Sequence, residues 1–77
     1  MSADPGSLVA MANRIGAFFD GFADRAEGEA GVAQHVARFW EPRMRRRLFA
    51  HLDGPAQGAG LTPFVAGALL RHREALL

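Results

Sequence analysis

The chain of 77 residues has no cysteine, lysine or tyrosine. Without cysteine, the chain cannot form disulfides, thiolate zinc sites or cysteine-ligated iron–sulfur clusters, and it cannot use thiol catalysis. Three histidines remain as candidate imidazole ligands for a metal. A domain this small buries a limited core and usually depends on disulfides, a metal or a partner for part of its stability. We therefore expect a protein partner.

The sequence also lacks long apolar runs. None approaches the ~20 residues that a membrane span needs. The first residues have neither the basic head nor the apolar stretch of a signal peptide. The composition, 49% hydrophobic and 22% charged, is that of a globular chain. We expect a cytoplasmic protein with no membrane partner.

The charge balance argues against a strongly basic protein. All nine basic residues are arginine, eight acidic residues oppose them, and the formal net charge is +1. The pI of 9.1 is loosely determined, because few groups titrate near neutral pH. An arginine-rich helix after a proline turn keeps a small helical nucleic-acid-binding module as an alternative. We do not expect nucleic acid as a partner, because no second basic segment supports that interpretation.

The apolar spacing predicts an all-α fold, a small bundle of three to four short helices. Apolar residues recur every three or four positions, and strand alternation is absent. We expect a single helical domain over residues 1–77. Within it, residues 1–6 are expected to form a flexible tail and residues 53–60 a flexible linker rich in glycine.

Four local patterns predict where the helices begin. Ser7 is the expected N-cap of the first helix. Asp24, with Glu27 three residues later, is typical of a capping box that starts the second helix. Pro42 suits the first turn of a third helix, and Thr62 is the expected cap of a fourth. The expected core consists of Ile15, Phe18, Phe19, Val36, Phe39, Leu48 and Leu52.

The segment from Phe39 to Arg47 is the most unusual part of the sequence. On a helical wheel, Arg45 lies at the edge of the apolar stripe and Phe49 lies outside it. Glu41 is placed four residues before Arg45, which favours an ion pair between them. Because arginine and aromatic side chains often anchor interfaces, we expect this side of the helix to face a partner. The predicted partner-binding residues are Phe39, Trp40, Glu41, Arg43, Arg45 and Phe49.

No pattern predicts a catalytic, cofactor-binding or metal site. The few hydroxyl residues are expected in a tail and at helix caps, and no nucleophile can be paired with a base. His51 and His72 have no second ligand at metal spacing. We expect a non-catalytic chain.

Several segments together resemble a known family. These are Met11-Ala12-Asn13 with Ile15, the Phe18-Phe19 pair, Val32-Ala33 with His35, the block Phe39-Trp40-Glu41-Pro42-Arg43-Met44-Arg45, and Gly60-Leu61-Thr62-Pro63. The Trp-acid-Pro-Arg-Met-Arg order is the specific element, since helical periodicity alone does not require it. In these segments, the sequence is similar to the delta subunit family of NAD-dependent formate dehydrogenases.

The resemblance implies an accessory subunit of a complex that oxidises formate to carbon dioxide and reduces NAD. It places the molybdenum–pterin cofactor (molybdenum or tungsten), the iron–sulfur clusters, FMN and NAD in partner subunits, with none bound by this chain. The expected partner is the large alpha subunit of an alpha-beta-gamma-delta complex. Both a stable subunit supporting assembly or integrity and a transient factor for cofactor insertion fit this resemblance.

Overall fold

The computed structural model describes residues 4–77, and within them the fold is all-α, as predicted. No strand occurs in this range. The predicted tail falls partly on residues 1–3, which lie outside the described residues. None of the helices within residues 4–77 combines the length and apolarity needed to cross a membrane. The five helices are α1 (Pro5–Phe19), α2 (Arg25–Phe39), α3 (Pro42–Asp53), α4 (Pro63–Arg71) and the single turn α5 (Arg73–Leu76).

The helix starts follow from their capping residues. The capping predicted at Asp24 is confirmed, because its carboxylate accepts a hydrogen bond from the backbone N–H of Glu27 at 3.2 Å. The prediction for the cap of α1 is wrong. Asp4, not Ser7, is the N-cap, and its carboxylate accepts from the Ser7 N–H at 2.8 Å. Pro5 therefore occupies the first helical position, where its missing N–H costs nothing.

Helix α2 lies at the centre of the bundle and packs against α1, α4 and α5, while α3 packs against α1. Between the helices lies one hydrophobic core. The sequence-based core was correct for Val36 and Leu48, and it was wrong for Phe18 and Phe39, which are 69% and 65% exposed. The buried apolar residues are Leu8, Ala12, Val32, Ala33, Val36, Trp40, Leu48, Phe49, Phe64, Val65, Ala68, Leu69 and Leu76.

A close crossing of α1 and α2 explains a glycine that weakens α2 in isolation. A Cβ atom at Gly28 would lie 2.6 Å from the carbonyl oxygen of Phe19 and 3.2 Å from Cζ of Phe64. Only glycine lets the end of α1 approach α2 this closely. Gly28 costs about 1 kcal/mol of helix stability relative to alanine, and this cost permits the close packing of α1 against α2.

Residues 54–62 connect α3 to α4 as a series of turns held by side chains from two helices. Asn13 of α1 donates from Nδ2 to the Gly60 carbonyl at 2.8 Å and accepts from the Thr62 N–H at 3.1 Å. Nε2 of His51 in α3 lies 2.9 Å from the Ala59 carbonyl. These contacts fix where α4 begins, at the Thr62 cap that the sequence predicted.

Candidate partner-binding surface

The corner between α2 and α3 is built by one tryptophan and one arginine. Trp40 is the C-cap of α2, is 5% exposed, and its backbone N–H donates to the Val36 carbonyl at 3.0 Å. Because α2 stops here, the Ala37 carbonyl lacks its helical partner. Nη1 of Arg45 donates to that carbonyl at 2.9 Å. The Arg45 side chain therefore caps the end of α2 from within α3.

The predicted ion pair between Glu41 and Arg45 does not form. Arg45 instead reaches back to α2, and Glu41 starts α3 as an N-cap without a side-chain hydrogen bond. The carbonyl at the end of α2 takes the guanidinium because it is both an orphan acceptor and the negative end of a helix dipole. Nε of Arg45 is buried and has no partner within residues 4–77.

On one side of α3 the surface forms a groove of about 510 Å³, here called the C-terminal groove. Two arginines line it, and apolar side chains supply the rest of its wall apart from one carboxylate. The lining residues are Pro42, Arg45, Arg46, Phe49, Asp53, Leu76 and Leu77. Two of the apolar lining residues differ in exposure, because Leu77 is 58% exposed and Leu76 is buried. The groove is open, apolar and positively charged along one edge, which suits an acidic and apolar protein segment.

Helix α5 covers the ring of Phe49, so the expectation that this residue lies outside the core is wrong. Phe49 is 2% exposed, and the Arg73 guanidinium lies 5.0 Å from its ring centroid. Arg73 also pairs with Asp53 at the end of α3, with one contact of 3.1 Å. This hydrogen bond holds the pKa of the Asp53 carboxyl below its ordinary value of 3.8 and raises the pKa of Arg73. Asp53 is thereby neutralised by Arg73, and Arg45 and Arg46 set the local charge.

A second depression, here called the aromatic groove, lies between α1 and the α2–α3 corner. Its volume is about 390 Å³. Phe39 is its most exposed apolar residue, and the His35 ring lies 4.8 Å from the Phe39 ring, centroid to centroid. The lining residues are Met11, Arg14, Ile15, His35, Phe39, Trp40 and Met44.

The exposed apolar surface continues along α1 beyond this groove. Phe18 lies two helical turns after Met11 on the same side of α1, and its ring is 5.9 Å from that of Phe22, centroid to centroid. Phe18 is 69% exposed, Phe22 37% and Met11 36%. The sequence analysis wrongly assigned Phe18 to the core. Periodicity shows that residues share one face of a helix, but it does not show whether that face is covered.

The six predicted partner-binding residues fall into three positions. Phe39 and Trp40 line the aromatic groove, with Trp40 mostly buried. Arg45 and Phe49 line the C-terminal groove, with Phe49 buried in its wall. Glu41 and Arg43 are exposed and line neither groove. The structure therefore separates these residues onto different sides of α3 and does not join them in one patch.

The two grooves can be compared with metal sites and with protein interfaces. Within residues 4–77 there is no group of three or more histidine, cysteine, aspartate or glutamate side chains that could hold a metal ion. What the grooves offer is apolar area with arginine at the margins, as protein interfaces do.

A comparison with family models matches residues 7–69 to the NADH-dependent formate dehydrogenase delta subunit FdsD. The chain belongs to this family. The matched delta-subunit region begins in α1, ends in α4 and contains the whole α2–α3 corner. Helix α5 and the part of the C-terminal groove formed by Leu76 and Leu77 lie beyond it. No curated protein and no solved structure matches the chain significantly.

Proposed function

We propose that this chain is a non-catalytic accessory subunit of an NAD-dependent formate dehydrogenase, and that it supports the assembly or integrity of the complex. The family match carries the link to formate dehydrogenase. An apolar, arginine-edged groove next to the α2–α3 corner supports a role in protein binding. In this proposal the molybdenum–pterin, iron–sulfur, FMN and NAD sites belong to the partner subunits, in the cytoplasm.

The proposed docking partner is the large molybdenum-containing alpha subunit. The C-terminal groove would accept an apolar segment of that subunit, and a carboxylate beside it would pair with Arg45 or Arg46. Nε of Arg45 has no acceptor within residues 4–77, and burying a donor without a partner is unfavourable. A partner carboxylate would not reach this buried Nε; it would accept from the other N–H groups of the guanidinium, because hydrogen bonds between charged groups are stronger than neutral ones.

Such docking would act on the complex through binding equilibria. A subunit that binds only the assembled state stabilises that state in proportion to the logarithm of its free concentration over its dissociation constant. The expected effect is on the fraction of enzyme that stays assembled. The rate constant for formate oxidation by an intact complex should be unaffected.

The test is affinity purification of the tagged chain from its native host, with mass spectrometry and an assay of formate-dependent NAD reduction. A fixed ratio to active formate dehydrogenase subunits supports the stable-subunit role. Recovery of only the large subunit, inactive and without cofactor, would replace this role with a transient assembly factor. Recovery of neither would overturn the proposal. Binding to duplex DNA that weakens steeply with salt would then support the nucleic-acid alternative.

A matched experiment removes this chain and purifies the complex through a tag on the alpha subunit. We expect the complex without the chain to lose subunits during gel filtration, while the remaining intact fraction keeps its turnover number. An equally intact complex in both preparations would contradict a role in integrity.

A further inference from the structure

The aromatic groove and the exposed stripe of α1 form a second apolar surface. Met11 and Phe39 belong to the groove, and Phe18 extends the surface along α1. Exposed aromatic residues clustered on one side of a small domain usually mark an interaction site. This surface is separate from the C-terminal groove, because Met44 and Phe49 lie about 140° apart around α3.

The charged side chains that line the aromatic groove or contact Phe39 carry one sign. Arg14 lines the groove, is exposed, and has no carboxylate partner within residues 4–77. The guanidinium of Arg38 lies 5.6 Å from the centroid of the Phe39 ring. No aspartate or glutamate occurs among the described residues that line the groove. The occupant should therefore combine apolar side chains with flanking carboxylates.

A second copy of this chain does not fit that requirement. If two copies joined through this surface with two-fold symmetry, Arg14 and Arg38 of one copy would face Arg14 and Arg38 of the other. Like charges brought together at an interface are unfavourable, and these have no carboxylate in the groove to separate them. The charge pattern thus selects a different protein.

We infer that the aromatic groove binds an amphipathic helix of another subunit of the complex, with an apolar ridge flanked by aspartate or glutamate. The apolar ridge would contact Met11, Phe18 and Phe39, and its carboxylates would pair with Arg14 and Arg38. Helices bound in apolar grooves use this combination of anchors and edge charges. The inference rests on the proposed function, because it takes the chain to be held in the formate dehydrogenase complex. With two surfaces on different sides of α3, the chain would bridge two segments of that complex.

The absence of lysine makes a direct test possible. An Arg14→Lys substitution introduces the only side-chain amine of the chain, because the natural sequence has no lysine. The purified complex containing this variant is treated with a carbodiimide, which joins an amine to a carboxylate in contact with it, and is then digested for mass spectrometry. We expect a cross-link between position 14 and an aspartate or glutamate of another subunit.

The Arg73→Lys variant provides the matched control, because position 73 already pairs with Asp53 in the same chain. Its intrachain cross-link shows that the reagent works in the complex. If that cross-link forms and none joins position 14 to another subunit, the inference is wrong. A cross-link from position 14 to a second copy of this chain also overturns it. Failure of the wild-type chain to associate with the complex would refute the proposed function itself.

A second measurement examines the apolar contact. We expect Phe39→Ser and Phe18→Ser each to lower retention of the chain on the complex at least tenfold, as for interface anchors. Leu70→Ser is the control, since Leu70 is 51% exposed and lines neither groove. Retention of both phenylalanine variants at the level of the control would contradict the inference. Circular dichroism tests whether each variant is folded, and only folded variants are compared.

Discussion

Nη1 of Arg71, at the end of α4, lies 2.6 Å from Oε2 of Glu29, a residue of α2 that is only 4% exposed. Arg25, one turn earlier in α2, approaches the same oxygen at 3.6 Å. A Cβ atom at Gly67 would lie 2.9 Å from Nη1 of Arg71 and 3.2 Å from Oε2 of Glu29, so glycine makes room for the pair. The carboxylate joins α2 to α4 within a chain that has no cysteine and hence no disulfide.

Arg71→Ala should therefore destabilise the fold. The substitution leaves a buried carboxylate with only the more distant Arg25, and losing a charged partner of a buried group costs about 2 kcal/mol. Urea unfolding followed by circular dichroism measures the change. Arg14→Ala removes an exposed arginine without such a pair and should change stability by less than ~0.5 kcal/mol. Equal effects of the two substitutions would show that the Glu29 pair contributes nothing.

The pair of Asp53 and Arg73 predicts a pH-dependent stability. The pKa of Asp53 is lower in the folded chain than its ordinary value of 3.8. The stabilisation by its ionised form is therefore fully present above that value, and it is lost as the pH falls through the lowered folded value. We expect Asp53→Asn to be less stable than wild type at neutral pH and the two to converge in acid. Urea unfolding between about pH 2 and pH 7 tests this, and a constant difference would contradict it.

Gly28→Ala should destabilise the chain, although alanine is the better helix former. The new methyl group would meet the Phe19 carbonyl at 2.6 Å, so the backbone of α1 must move away. We expect a loss of about 2 kcal/mol in unfolding free energy, as for overpacked cores. At Gly6, in the first turn of α1, an added Cβ meets, among residues 4–77, only Oδ1 of Asp4 at 3.4 Å. Gly6→Ala should thus be neutral or stabilising by up to ~1 kcal/mol, and a gain at both positions would refute the close-packing explanation.

The sequence was sufficient to predict the four longer helices but not which sides of them are covered. Caps and prolines determine where helices start by local hydrogen bonding, so Asp24, Pro42 and Thr62 were assigned correctly. Burial depends on distant segments. Phe49 is covered by Arg73 of a four-residue helix that no periodic pattern reveals, and Phe39 is left exposed.

The same reason explains the result at the candidate site. The unusual segment was correctly located at a helix corner, and Arg45 was placed at the edge of the core. Its actual acceptor, the Ala37 carbonyl, is a backbone atom left unpaired only because α2 ends at Phe39. A helical wheel of α3 contains no information about the end of α2, so it favoured Glu41 instead.

Trp40 and Phe39 are adjacent in sequence, but alanine substitution should lower stability much more at Trp40 than at Phe39. Trp40 is 5% exposed and packs in the core, so Trp40→Ala should lower stability by about 3–5 kcal/mol. Phe39 is 65% exposed, and Phe39→Ala should change stability by less than ~1 kcal/mol. Thermal and urea unfolding of the two variants provide the comparison. A large loss for Phe39→Ala would mean that its ring supports the fold, and it would weaken the case for a free aromatic groove.

Arg45→Ala should weaken association with the complex more than Arg46→Ala. Both arginines line the C-terminal groove, but Arg45 is half-buried and held by the Ala37 carbonyl, whereas Arg46 is exposed. A preordered guanidinium loses less side-chain freedom on binding a carboxylate, and therefore contributes more to affinity. We expect a loss of about tenfold or more for Arg45→Ala and a smaller one for Arg46→Ala, measured by retention of the tagged chain on the complex.

The helix cap made by Arg45 must be separated from its binding role. Arg45→Ala also removes the hydrogen bond to Ala37, a loss of about 1 kcal/mol in stability. Arg45→Lys keeps a positive charge and a donor able to reach that carbonyl, but it loses the planar fork that pairs with a carboxylate through two hydrogen bonds. If Arg45 binds a partner carboxylate, Arg45→Lys should unfold like the wild type and still bind more weakly than Arg46→Ala. If the Arg45→Lys chain is retained on the complex as well as the wild type, Arg45 acts only in the fold. Its positive charge and its hydrogen bond to the Ala37 carbonyl would then be sufficient for association.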